Sequence, residues 1–364
     1  MNNYSIITLG SSGSGKTIFL ASLFKVFSIQ GKFGFSLDTQ DRTKRITLNK
    51  IYHDLTTGEE WPSGTKNISE WVFTGYVNNS EISKIPAFKI TYIDYKGGLI
   101  TDQESSESEK EYGGYNDLET YVKEADAVLG ILDGQKLLYF MQDLTSNVVL
   151  RWLNQDLPAL MQIVDKCNKY IPVHFIITKW DLLEGSYSLA DVKNRLLDKV
   201  PEFHNVVENR IKVGCPVRLI PVSSLGKGFA VLQSNGQMKK VSANPPHPIN
   251  VEFPLAFALT DKLQNQPGAS KQKPFKLIVW DWVIIGICLF LLIPTAGSVL
   301  FIALVYFGFR LLKNRSKNTQ KSSQILQSED AFEQILSKCQ EIQRQFNADF
   351  PDSDLTKKPS LKFR

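Results

Sequence analysis

The run Gly10-Ser11-Ser12-Gly13-Ser14-Gly15-Lys16-Thr17 has the residue types and spacing needed to hold a chain of phosphates. Its glycines let backbone N–H groups turn inward around phosphate oxygens, and a following helix adds the positive end of its dipole. In such a loop Lys16 reaches the β- and γ-phosphates and the Thr17 hydroxyl ligates Mg²⁺. Ile18, the next residue, completes the contact set at the start of the helix.

A second group is Asp94-Tyr95-Lys96-Gly97. A carboxylate at the tip of a strand beside the phosphate loop holds the Mg²⁺ shell, and a glycine three residues on lets a backbone N–H approach the γ-phosphate. The next residue is Gly98, which has no side chain to orient an attacking water. Hydrolysis is therefore expected to be slow, or to draw its water-positioning group from elsewhere. The acidic, serine-rich stretch 101–115 reads as a solvated loop or as a switch ordered by the γ-phosphate. A threonine should complete the Mg²⁺ shell, and Thr56, Thr57, Thr65 and Thr74 are available. Thr65 is preferred because Trp61-Pro62-Ser63-Gly64-Thr65 contains a turn that could expose it, with an ordinary surface threonine as the competing reading.

The base is selected further along the chain. Thr178-Lys179-Trp180-Asp181 places a carboxylate where it can accept from both the ring N–H and the exocyclic amine of guanine. Adenine offers neither donor. The aliphatic stem of Lys179 can cover the base plane. Ser223-Ser224-Leu225 occupies the place of a short loop that offers a backbone N–H to the guanine carbonyl.

These residues need a scaffold that brings strand ends together. Tyr4–Leu9, Phe88–Ile93, Ala127–Leu132, Val173–Ile177 and Arg218–Val222 read as strands, each ending at a motif, with Ala127–Leu132 leading into Asp133-Gly134. Alternation with helical segments predicts an α/β fold, a mostly parallel sheet with helices on both faces and ligand at the carboxyl ends of the strands. Residues 231–241 predict a hairpin turning at Asn235-Gly236, and 254–263 a final helix.

In this order, the motifs resemble the translation-factor-related (TRAFAC) class of P-loop GTPases over about Asn3 to Leu263. The WPxGT segment, Asp94 to Gly98 and Leu132-Asp133-Gly134 resemble the bacterial double-GTPase group. The resemblance implies GTP and GDP as ligands, Mg²⁺ as cofactor, and a role with neighbouring-gene partners in signalling or biological conflict.

Residues 277–312 are nearly continuous apolar sequence interrupted at Pro294 to Ser298. One helix of that length would measure about 54 Å against a hydrocarbon core of roughly 30 Å. Two helices of about 25–27 Å fit better, so a transmembrane helical hairpin is expected. Basic residues flank both ends, Lys271, Lys273 and Lys276 before and Arg310, Lys313, Arg315 and Lys317 after, which predicts an inner or plasma membrane protein with both flanks cytoplasmic. Beyond it, Phe332, Ile335, Cys339, Ile342 and Phe346 form one stripe of a helix that packs on the nucleotide domain or on a partner. The last dozen residues read as disordered. The organisation expected is a G domain over 1–265, a basic linker over 266–276, the hairpin over 277–312, and a basic linker, amphipathic helix and tail over 313–364.

Composition narrows the classes. A net charge of +5, with basic residues gathered around the apolar stretch, favours a membrane surface over nucleic acid. Four dispersed cysteines without a CxxC pair exclude a disulfide framework and a zinc site, and four scattered histidines suggest no metal cluster. The leading expectation is a membrane-anchored regulatory GTPase. A nucleotide-binding interaction module with little hydrolysis and a membrane-remodelling or pore-forming GTPase are the alternatives.

Overall fold

The computed structural model describes residues 2–28, 33–58, 61–62, 69–79, 83–94, 114–144, 146–241, 245–264 and 327–356. Its centre is a seven-stranded sheet in the order β2-β3-β4-β1-β5-β6-β7. The strands are β1 (Asn2–Leu9), β2 (Phe35–Asp38), β3 (Ser69–Asn79), β4 (Ser83–Asp94), β5 (Ala127–Asp133), β6 (Val173–Thr178) and β7 (Val217–Pro221). β4, β1, β5, β6 and β7 run parallel, and β3 is antiparallel to both β4 and β2. A small antiparallel pair, β8 (Ala230–Leu232) and β9 (Met238–Lys240), stands apart from the sheet.

Alternation within β1 explains why helices cover both faces. Tyr4 and Ile6 enter one core while Ile7 and Leu9 enter the other. The helices are α1 (Lys16–Ser28), α2 (Arg42–Thr57), α3 (Gly114–Glu124), α4 (Gly134–Met141), α5 (Asn147–Arg151), α6 (Leu157–Lys166), α7 (Leu189–Lys199), α8 (Pro201–Lys212) and α9 (Phe253–Gln264). A π-helical turn, Trp152–Asp156, joins α5 to α6. Residues 327–349 form the last helix, α10.

Contacts divide the chain into one unit of Met1–Asn265 with Asp330–Arg364 and a second of Gln266–Glu329. Within the first unit the apolar stripe of α10 completes the core on the α1 face. Phe332 stacks on Tyr4 at 5.9 Å and meets Phe88 edge-on, and Phe346 lies 4.5 Å from Phe253 and 5.3 Å from Phe257. The chain then turns through Pro351–Ser353, and Leu355 donates its N–H to the Val217 carbonyl at 2.9 Å. Order therefore reaches into the expected tail; 357–364 lie outside the described residues.

The expected membrane hairpin requires a correction. Among the described residues no helix is long and apolar enough to cross a membrane, and 277–312 lie outside them. The long helix α10 carries Asp330, Glu333, Lys338, Glu341 and Arg344 beside its apolar stripe, a pattern for packing against protein on one side. The fold is an α/β domain with a mostly parallel sheet, closed by a C-terminal helix. The transmembrane element and the inner-membrane location are withdrawn.

Candidate functional site

β1 delivers the phosphate loop at its carboxyl end, and α1 begins at Lys16 within that loop. The tight path requires left-handed backbone: Gly13 has φ 75° and Gly15 φ 93°. Thr178, the last residue of β6, fixes this path from the side. Its hydroxyl donates to the Ser14 carbonyl at 2.7 Å and lies 3.2 Å from the Leu132 carbonyl, tying the ends of β5 and β6 to the phosphate loop.

Lys16 is buried and donates its amine to the carbonyls of Gly10 at 2.8 Å and Ser11 at 3.0 Å. Burial pushes its pKa down to about 8, against the pull of Asp94. Beside it the Thr17 hydroxyl donates to the Asp94 carboxylate at 3.0 Å. Asp94, the last residue of β4, is also buried. A hydroxyl and a carboxylate at this spacing form a hard oxygen donor set that suits Mg²⁺, so Thr17 and Asp94 are the residues that would hold it. Of the candidate threonines, Thr74 lies inside β3 opposite Lys89, five positions from the Ser69–Asp94 pair. Thr56 and Thr57 donate to the His53 carbonyl at the end of α2. Thr65, Gly97, Gly98 and the stretch 95–113 lie outside the described residues.

The residues expected to read the base gather at the other end of the cleft. Lys179 adopts a left-handed conformation (φ 51°, ψ 37°), strain of a kind that collects at functional sites. That turn sends its amine back to the Asp133 carboxylate at 2.8 Å and the Gly13 carbonyl at 3.3 Å, laying its stem along the loop. Gly134 permits the approach, because a Cβ there would lie 2.1 Å from the Thr178 carbonyl oxygen. Asp181 accepts a short hydrogen bond from the Ser223 hydroxyl. Burial raises its carboxyl pKa, and the Ser223 bond works against that rise. Ser223 also accepts from the Gly226 N–H at 3.2 Å, which curls the loop 223–226 around the Asp181 side chain.

A cleft of about 860 Å³ joins the two ends. It is lined by Ser12, Gly13, Gly15, Lys16, Thr17 and Ile18 from the phosphate side and by Thr178, Lys179, Asp181, Ser223, Ser224 and Leu225 from the base side. Gly10, Ser11 and Ser14 support the loop from behind that lining. Two groups that motif reading did not assign also belong to the site. Lys136, two residues into α4, bonds Asp156 in the π-helical turn at 2.7 Å and the Ser11 hydroxyl at 3.3 Å, so a partly buried ion pair braces the loop. Trp61, Pro62, Phe229 and Met238 line the remaining wall. The Asn235-Gly236 turn signal identified the hairpin, but nothing in the sequence placed it at the cleft.

The site is a glycine-rich loop facing a carboxylate across one cleft. No protein-family model and no curated protein matches the chain. Among solved structures, that of Methanosarcina barkeri Roco2 RocCORdC bound to GDP is similar to 73% of this chain at 11% identity and a TM-score of 0.32. This chain spans about half the length of that one (50%). The likeness is too distant to carry an argument, so the functional reading rests on this chain's own residues.

Proposed function

We propose that the chain is a regulatory GTPase that binds GTP with Mg²⁺ and changes conformation on slow hydrolysis to GDP. The observation that carries this reading is the placement of Asp181 and the phosphate loop at opposite ends of one cleft. Asp181 presents a carboxylate whose neighbours, Ser223 and the Gly226 N–H, hold the base loop around it. A carboxylate there accepts two donors from guanine and none from adenine. Lys16 supplies phosphate charge, and Thr17 and Asp94 supply the metal shell. Thr65 and Gly97 are assigned the γ-phosphate side by their sequence context alone.

The finer resemblance to the double-GTPase group, and with it a protein effector encoded nearby, is part of the same proposal. Gly98 favours a second reading, a nucleotide-binding module with little turnover. One experiment addresses both: the full chain is titrated with GTP and ATP in Mg²⁺, and phosphate release is followed over many turnovers. GTP preference with slow multiple turnover is expected. GTP binding without turnover selects the interaction module, and equal ATP binding overturns the guanine assignment.

A further inference from the structure

The β8–β9 hairpin should not stand alone. Its strands are three residues each, it pairs with no other strand among the described residues, and Val231 on it is 54% exposed. Isolated two-stranded ribbons are marginal in water, so something outside the hairpin must hold it. Among the described residues, contacts fix it at three points, and all three lead to the cleft.

At the first point the Trp61 indole N–H donates to the Met238 carbonyl at 2.7 Å, and its ring meets Phe229, just before β8, edge-on at 6.3 Å. At the second, the Lys240 amine lies 5.2 Å from the Trp61 ring centre and donates to the carbonyls of Asp54 at 3.2 Å and Gly58 at 2.9 Å. Those carbonyls end α2, where a cation is favoured. At the third, the Gln135 side chain donates to the Gly236 carbonyl at 2.7 Å, pinning the hairpin tip. The Gln135 backbone N–H bonds the same Asp133 oxygen that receives Lys179. The hairpin is thus strapped from the end of α2, over Trp61, to the helix start that orients the base-side lysine.

We propose that Trp61 and the β8–β9 hairpin form a second wall of the cleft that packs on the base–ribose end of the bound nucleotide and sets its residence time. The inference rests on the nucleotide reading given above. The wall brings apolar side chains to the cleft: Trp61, Pro62, Phe229 and Met238 share the cavity with Lys179 and Asp181. A heteroaromatic base gains from an aromatic face and a polarisable thioether without any need for sequence-like hydrogen bonds. Asp181 then determines which base binds, while the wall determines how long it stays.

The test is release of radiolabelled GDP from the full chain, with Trp61→Ala, Trp61→Phe and Gln135→Ala beside wild type. Trp61→Ala is expected to speed release roughly tenfold or more, the loss typical of removing one aromatic platform. Trp61→Phe should stay within about threefold, because it keeps the ring and loses only the N–H bond to Met238. Gln135→Ala, far less disruptive to folding, should speed release several-fold by freeing the hairpin tip. The preference for guanine over xanthine nucleotide should be unchanged in all three. Release within about twofold of wild type for both Trp61→Ala and Gln135→Ala overturns the wall and leaves the guanine reading standing. Failure of wild type to retain any guanine nucleotide overturns both.

Discussion

The two ends of the central sheet use buried charge differently. At the carboxyl end, Lys16, Lys179 and Asp181 line an open cleft, while Asp94 and the Lys136–Asp156 pair bond the phosphate loop at Thr17 and Ser11. Toward the amino end, Arg218 of β7 bonds Asp261 of α9 at 3.0 Å and lies 3.4 Å from Asp354, with its guanidinium 4.3 Å from the Phe257 ring centre. There the charges clamp the C-terminal segment onto the core. The first set is arranged for a ligand and is expected to be dispensable for folding. The second is arranged for closure and is expected to be indifferent to nucleotide.

The largest expected effect belongs to the closing end. Phe346 is fully buried among Phe253, Phe257 and Phe350. Phe346→Ala should cost about 3–5 kcal/mol of stability in chemical denaturation. Its guanine preference, measured below the transition, should match wild type. A change in selectivity would break the division between the two ends.

At the cleft end the signs reverse. Lys16→Ala should weaken GTP binding by about a hundredfold, as expected for loss of a charge-assisted phosphate contact. Its unfolding temperature should stay level or rise, because the substitution removes a buried amine whose pKa burial has pushed down to about 8. A large loss of stability would show that Lys16 is structural.

A smaller effect distinguishes the clamp in pH. His174 is fully buried on β6, 3.6 Å from Asp261, and burial followed by the Arg218 charge pushes its pKa down to about 3. The unfolded chain, with an ordinary value near 6.5, takes up the proton first. Its contribution is therefore complete above pH 6.5 and declines as pH falls toward 3, at up to about 1.4 kcal/mol per pH unit. Denaturation midpoints of wild type and His174→Leu between pH 7 and 5 check this; the variant should have the shallower slope.

Much of the cleft was legible from sequence because strands buried on both faces read as short apolar runs that end in chemistry-bearing residues. β1, β5, β6 and β7 announce themselves this way, and β4 does so by the alternation of Phe88, Ile90 and Tyr92 with Lys89 and Thr91. β2 has only four residues, and β3 interleaves Glu70, Thr74 and Gly75 with its apolar positions, so neither stands out. The stripe from Phe332 to Phe346 was visible, but a stripe does not name its partner; Tyr4, Phe88, Phe253 and Phe257 do. Lys136 and Asp156 could not be paired in advance, since a helix and a π-helical turn bring them together. Trp61 was noticed within a motif, yet its contact with Met238 spans most of the domain in sequence.

That α10 completes the core also decides how the central claim is tested, because a fragment ending before it would expose Tyr4, Phe88 and Phe253. The full chain is needed. GTP and XTP affinities are measured for wild type and Asp181→Asn in Mg²⁺. Wild type should prefer GTP, and the variant, whose amide offers a donor where the carboxylate accepted, should lose GTP and gain XTP. Equal affinity for the two nucleotides in wild type, or an unchanged preference in the variant, would contradict the guanine assignment.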